Sequence, residues 1–298
     1  MAALNYPEAP RVETRTNYHG VVVADPYRYM EDPSDPRTES WVQVNTELAA
    51  DYLANLPMRE RLRASLEEAW DYEKYGTPHQ VGDGLLYAYN SGLQAQYVYY
   101  YLENEHDAEP RLLLDPNTWS EDSTVSLGGM SFTEDGSLLA YSKSKKGSDW
   151  RTWYVMDLAT GEVFEDLVEW SKFSGVTWLP DNSGFFYNRN AQPAEGETYE
   201  ATNQNEQVFF HRLGTDQSAD VMVFEHSHDP LLRSHLGITN DGQWVLLWEG
   251  KGSKTNGLRV LSVEHTVKWL EDEGREGILN FEPLIPDGLA RHSAVDYI

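Results

Sequence analysis

Four stretches of this sequence repeat one another in kind, and that repetition limits the fold more than any other feature. They are "VGDGLLYAYNSGLQAQYVYYYLEN", "SFTEDGSLLAYSKSKKGSDWRTWYVMDLATGE", "VTWLPDNSGFFYNRN" continuing to "EQVFFHRLGTDQ", and "GITNDGQWVLLWEGKGSKTNGLRVLSVEH". Each reads as an apolar strand, an Asp-Gly or Asp-Asn-Ser-Gly turn, a second apolar strand, a polar loop, and an outer strand ending at an acidic turn. The turn aspartates are Asp83, Asp135, Asp181 and Asp241, a repeat of roughly fifty residues, which is the range of four-stranded propeller blades. Glycine tolerates positive φ at such turns, and an Asp or Asn side chain caps them. A twisted sheet of this size cannot bury both faces alone, whereas blades stacked around an axis can. The competing reading is an all-β protein in which Asp-Gly turns recur by chance.

Composition supports sheet structure. The chain has 298 residues, 40% hydrophobic and 24% charged, with ten Trp and eighteen Tyr, and flat rings pack well on pleated surfaces. Forty-nine acids against twenty-three bases give a net charge of −26. That charge repels phosphate backbones and anionic lipid, so neither nucleic acid nor membrane is an expected partner. There is no Cys, which removes disulfides, thiolate catalysis and cysteine zinc sites. The N-terminal "MAALNYPEAPRVETRTNYHG" has no apolar core of a signal peptide, and no run reaches the ~18 apolar residues of a membrane span. The expectation is a soluble, cytoplasmic protein.

Residues 1–75 read differently from the rest. "GVVVA" extends as a strand, and Asp25-Pro26 and Asp32-Pro33 impose turns, because proline pushes its predecessor out of the α region. With Asp35 as N-cap and Pro36 at the first helical position, Trp41, Val42, Asn45, Leu48, Ala49, Tyr52 and Leu53 recur at three- and four-residue steps, the spacing of an amphipathic helix. A second helix is predicted from Met58 to Trp70, with Leu62, Leu66, Ala69 and Trp70 on one face. Residues 76–298 form the sheet region.

Chemistry-bearing motifs are scarce. There is no Gly-x-Ser-x-Gly nucleophile elbow, no His-Gly-Gly oxyanion segment, no P-loop and no Gly-x-Gly-x-x-Gly. His226-Ser227-His228-Asp229 places two imidazoles and a carboxylate together, but without a third ligand at metal-site spacing it reads as a surface loop. Abundant carboxylates allow glycosidase-type pairs, yet sequence cannot place two of them at the needed separation. No cofactor or metal is expected.

"ADPYRYMEDPSDPRTESWVQVNTELAADYL" resembles the N-terminal signature of the prolyl oligopeptidase family of serine peptidases, with Tyr29-Met30 where Trp-Leu is usual. Similar segments run on through "YPEAPR", "AWDYEKYGTP", "YNSGLQAQYVYY", "LLLDPNTWSEDSTVSL", "FTEDGSLLAYSKSKKGSDW" and "RLGTDQSADVMVFE". The Gly-Leu-Gln-x-Gln and Leu-Gly-Thr-Asp-Gln segments are similar to the prolyl-specific branch more than to oligopeptidase B.

The resemblance implies a seven-bladed β-propeller capping a C-terminal α/β-hydrolase domain that carries Ser, Asp and His, with the N-terminal helical segment packed on that domain. About 220 residues beyond position 75, at about fifty per blade, make four or so blades, and "HSAVDYI" ends the chain before any hydrolase sequence. The expectation is thus a mainly β chain holding part of the propeller. It implies hydrolysis of short peptides after proline, with the propeller excluding large substrates, and no activity for residues 1–298 alone. Two residues carry over. Asp149 of "KGSDW" is expected to face the hydrolase domain and pair with its arginine, and Phe173 of "SKFSGVTW" to line the apolar pocket for substrate residues upstream of the proline. A turn-capping Asp and a blade-core Phe are the plainer alternatives. Relatives with a Cys in a later propeller loop use it near the pocket, where "GKGSKTNG" offers Ser253. The rival functions are an oligopeptidase B-like peptidase and a non-catalytic propeller scaffold.

Overall fold

The computed structural model describes residues 4–103, 109–193, 204–252 and 255–290. They fall into two compact units, one reaching from the N-terminus to Tyr72 and the other beginning at Glu73.

In the first unit, β1 (Arg15–Tyr18) and β2 (Val21–Ala24) form an antiparallel hairpin. Its turn residues, His19 and Gly20, have φ of 55° and 94°, the positive values that match the twist of a two-residue hairpin. A 3₁₀ turn at Arg28–Glu31 leads to α1 (Pro36–Ala54) and α2 (Arg59–Trp70). The start of α1 is as the sequence predicts: the Asp35 carboxylate accepts from the Arg37 amide at 2.9 Å, with proline at the first helical position. The amide and guanidinium of Arg37 hold the Asp35 carboxyl down at about 2. Both helices are amphipathic by pattern, yet Val42, Leu53, Leu62, Leu66 and Trp70 are exposed.

The second unit is four antiparallel sheets in chain order. The first contains β3 (Lys74–Tyr75) and β4 (His79–Val81), which share the edge of β5 (Gly84–Asn90), followed by β6 (Val98–Leu102) and β7 (Arg111–Leu114). The second runs β8 (Val125–Phe132), β9 (Leu138–Lys145), β10 (Trp150–Asp157), β11 (Val163–Lys172). The third runs β12 (Val176–Trp178), β13 (Gly184–Arg189), β14 (Gln207–Arg212), β15 (Val221–Glu225). The fourth runs β16 (Arg233–Ile238), β17 (Trp244–Lys251), β18 (Thr255–Ser262), β19 (Glu282–Ala290). Each is a meander whose last strand leads to the first strand of the next sheet, the connectivity of successive propeller blades.

Burial follows the seams between blades, because successive strand residues point to opposite faces. Leu139 packs with Leu86, Leu113 and Met156 toward the first blade, while its neighbour Ala140 packs with Trp178 and Phe185 toward the third. Phe185 and Phe186 divide in the same way between the second and fourth blades. Side chain-to-backbone bonds stitch the inner strands: Trp178 Nε1 donates to the Ser131 carbonyl at 3.1 Å, and Thr177 Oγ1 to that of Leu236 at 2.7 Å.

The repeated turns explain the recurring aspartates. Asp135, Asp181 and Asp241 each accept the amide two residues on, at 3.0 Å, and the next residue, Gly136, Asn182 or Gly242, has positive φ. Backbone and hydroxyl donors from Ser137, with Thr133 and Asn182, hold the Asp135 carboxyl down at about 2. The turns also touch one another. Asn182 Nδ2 donates to Asp135 Oδ2 at 2.8 Å, and a Cβ on Gly82 would lie 2.6 Å from the Asp135 carbonyl. In the first blade the expected Asp83-Gly84 turn is shifted: Gly82 takes the positive φ and Gly84 already starts β5.

One element departs from the reading of "LRVLSVEH" as an outer strand ending at an acidic turn. That strand is third in its blade, and α3 (Val263–Glu271) follows it before β19. Ser262 caps α3 by accepting from the His265 amide, and Leu270 is buried in the seam between the third and fourth blades.

Candidate functional site

Each blade has two ends. The aspartate turns join first to second strands at one end, and the opposite end carries the β9–β10 loop and the crossings from blade to blade. Asp149 and Phe173 both lie at this second end, on different loops.

Asp149 is exposed at the close of a tight loop in which Lys146 and Gly147 have φ of 53° and 68°. Ser144 Oγ donates to the Ser148 carbonyl, and the Trp150 amide donates to Ser148 Oγ at 3.2 Å. Cross-strand register then puts Trp150 opposite Lys172. The Lys172 ammonium sits 3.8 Å from the centroid of the Trp150 ring, a cation–π contact. A bulge in β11 places Trp170 at φ 62°, where its ring meets Trp150 edge-on at 5.5 Å. Burial pushes the Lys172 pKa down; the Asp149 carboxylate opposes this and Arg233 adds to it.

Phe173 follows at once, in the crossing from β11 to β12, with φ 50° and 51% exposure. That exposure places it outside the blade core. The crossing is pinned from below: Arg151 Nη1 donates to the Ser174 carbonyl at 3.0 Å, and Ser174 Oγ bonds Ser171 Oγ, which also accepts from Trp153 Nε1. Over the Phe173 ring, 4.9 Å from its centroid, lies the guanidinium carbon of Arg233 at the start of β16. Asp149 and Phe173 are therefore joined through Trp150 and Lys172 into one aromatic and cationic patch built by the second blade, its outgoing crossing and the start of the fourth blade. Sequence spacing gave no hint of Trp150, Lys172 or Arg233 as its members, since only strand pairing and blade stacking bring them together.

Beneath Arg233, Glu206 is buried and accepts from Asn188 Nδ2 at 2.8 Å and from the Ser234 amide at 3.0 Å. Burial pushes its carboxyl up, partly offset by those two donors and by the Arg233 charge. Nearby, His226 Nε2 lies 2.8 Å from Ser234 Oγ, and its Nδ1 is 3.9 Å from Glu249 Oε2. The order of groups is that of a nucleophile, base and acid, but 3.9 Å is beyond hydrogen bonding. Glu249 instead binds Arg259 Nε with both oxygens at 3.0 Å, and Ser234 is 8% exposed, so no substrate carbonyl can reach its hydroxyl. These groups support the patch. In the same segment Asp229 pairs with Lys251 at 2.8 Å and accepts from the Leu231 amide. Among the described residues no cluster of three or more His, Asp or Glu is arranged to hold a metal, and no helix is long and apolar enough to cross a membrane. Ser253 lies outside the described residues.

The patch can bind: it offers an exposed ring, two cations and an exposed carboxylate, the groups that read peptide side chains. Comparison with known proteins gives it a context. The family described as "Prolyl oligopeptidase, N-terminal beta-propeller domain" matches residues 7–294. The prolyl endopeptidase of Elizabethkingia meningoseptica is 35% identical over 90% of this chain and 37% of its own length, and prolyl oligopeptidase A of Amanita bisporigera is 30% identical over 92% and 38%. Among solved structures, a prolyl endopeptidase analysed for inter-domain dynamics in catalysis and specificity superposes with a TM-score of 0.79 at 27% identity, covering 94% of this chain and 39% of that one. Prolyl oligopeptidase B of Galerina marginata, bound to a 35-residue hydrolysis and macrocyclization substrate, gives 0.76 at 26% identity, covering 96% and 41–42%. The chain spans about two fifths of the length of these relatives.

Proposed function

We propose, from the premise that this chain belongs to the prolyl oligopeptidase family and matches its N-terminal β-propeller domain, that it is the substrate-gating part of a serine peptidase acting on short peptides after proline. The observation that carries the proposal is the joint placement of Phe173 and Asp149 at one blade end, in a chain whose match to the propeller domain runs from residue 7 to 294. In this reading the exposed apolar side of α1 and α2 packs on an α/β-hydrolase domain of the same protein. Phe173 forms a wall for residues upstream of the proline, and Asp149 meets a hydrolase arginine. The nucleophile, general base and oxyanion donors belong to that domain, and residues 1–298 supply access and side-chain contacts. A cytoplasmic location is part of the same reading and is checked by cell fractionation.

The test is cleavage of a Gly-Pro reporter peptide by the protein carrying both domains, beside residues 1–298 alone. Cleavage on the carboxyl side of proline, blocked by a serine-directed inhibitor and absent from the shorter chain, is the expected result. Cleavage with another side-chain preference would favour an oligopeptidase B-like enzyme, and no cleavage a binding scaffold.

A further inference from the structure

We propose that Arg233 makes the Phe173 wall a subsite for an acidic side chain of the peptide, so that the enzyme prefers a carboxylate upstream of the proline. The inference rests on the peptidase reading above and adds a charge requirement to it.

Three observations carry it. The Arg233 guanidinium lies 4.9 Å from the ring of Phe173, itself 51% exposed, so the apolar wall and the cation share one surface. A guanidinium that contacts a ring still has five N–H donors around its edge. Second, among the described residues no carboxylate comes within 4 Å of Arg233, in a chain with more than twice as many acids as bases, forty-nine to twenty-three. Neighbouring arginines are engaged: Arg259 holds Glu249 at 3.0 Å, and Arg151 donates to the Ser174 carbonyl. Glu206, the internal carboxylate that senses Arg233, is buried and taken up by the Ser234 amide and Asn188. Third, Lys172 lies close enough for the two positive charges to act on each other, while Asp149 offsets Lys172. A half-buried guanidinium with no carboxylate within 4 Å among the described residues can take an anion from the ligand, and a carboxylate matches its planar fork. A peptide's Glu or Asp side chain provides both that carboxylate and a short apolar stem to lie against Phe173.

The experiment uses the protein carrying both domains and peptides of one length with a single proline, bearing Glu, Gln or Lys at each upstream position in turn. At one position kcat/KM for Glu is expected to exceed that for Gln by about tenfold and that for Lys by more, the scale of one charge-assisted pair. The advantage should shrink as salt rises. Arg233→Gln should bring the Glu-to-Gln ratio near one, Arg233→Lys should keep part of it, and Arg233→Glu should invert the order to favour Lys. Cleavage after proline with no Glu preference at any position would overturn the subsite and leave the peptidase reading standing, and the unmodified protein alone decides this if a variant fails to fold. A Glu preference that survives Arg233→Gln would also overturn it. Absence of cleavage after proline with every peptide would overturn both.

Discussion

At Phe173 two requirements are opposed. A left-handed backbone costs a residue with a Cβ about 1–2 kcal/mol, and glycine would avoid that, yet the position holds a large ring half in water. Phe173→Gly should therefore leave Tm within a few degrees of the parent, relief of strain offsetting glycine's added unfolded-state entropy of about 0.5–1 kcal/mol. In the protein carrying both domains it should raise KM for longer peptides more than for a minimal Pro substrate, by up to about 1–3 kcal/mol of lost apolar contact. Melting curves beside steady-state kinetics check both arms, and a large fall in Tm with unchanged kinetics would mark the ring as packing. Asp149→Asn should weaken domain closure by less than about 1 kcal/mol, an effect that fades at high salt. Both residues were singled out in the sequence because "SKFSGVTW" and "KGSDW" resemble family segments. Their neighbours were not: Lys172 becomes the partner of Trp150 only through the β10–β11 register, and Arg233 meets Phe173 only across a seam.

Elements differed in legibility for a related reason. The cap, proline and apolar spacing of α1 are local, and so sequence alone delivers the helix. The start of α3 has the same grammar, Ser262 followed by Val263, Val267 and Leu270, but the strand pattern before it hid the change of period. Seams are less readable still. His211 on β14 is fully buried, with Nδ1 2.7 Å from Asp220 and Nε2 3.1 Å from Asp166 on β11; Tyr187 Oη also donates to Asp220 at 2.6 Å, and the Gly214 amide to Asp166. Burial opposes the imidazolium, but the two carboxylates outweigh it and raise its pKa. Only the protonated ring can donate to both. A raised folded pKa means that the stabilisation is full below the ordinary His value of about 6.5 and is lost as pH climbs through the folded value. The urea midpoint should fall as pH rises above about 6.5 in the parent, and fall less in His211→Gln, which cannot titrate. Equal slopes in the two proteins would remove His211 as the cause. Gln217 ties the same seam without charge, donating from Nε2 to the Glu169 carbonyl at 3.0 Å and accepting the Glu169 amide at 3.1 Å, which gives a physical reason for the "LGTDQ" segment.

For the second unit taken whole, the repeat of turn aspartates was enough to foresee four stacked sheets, because each turn is local and its period is set by blade size. Exposed apolar faces on the end blades of a partial propeller were foreseeable too, but the residues that form them were not. Tyr75, Tyr87, Tyr89 and Tyr100 stack across the first blade, with Tyr75 64% exposed, and Trp244 is 45% exposed in the fourth. Apolar surface of this kind drives association, so residues 1–298 alone should sediment as concentration-dependent oligomers, and a single monomeric species at every concentration would show these faces to be quiescent. The two blade ends carry different obligations. Asp135 and Asn182, like Gly82 and Gly136, fix the distance from one blade to the next, so a change at that end is felt by its neighbours. At the end with Asp149, Phe173 and Arg233 the loops between second and third strands differ in length from blade to blade. Substitutions in those loops can therefore alter the surface chemistry of one end while the touching aspartate turns at the other keep the spacing of the blades.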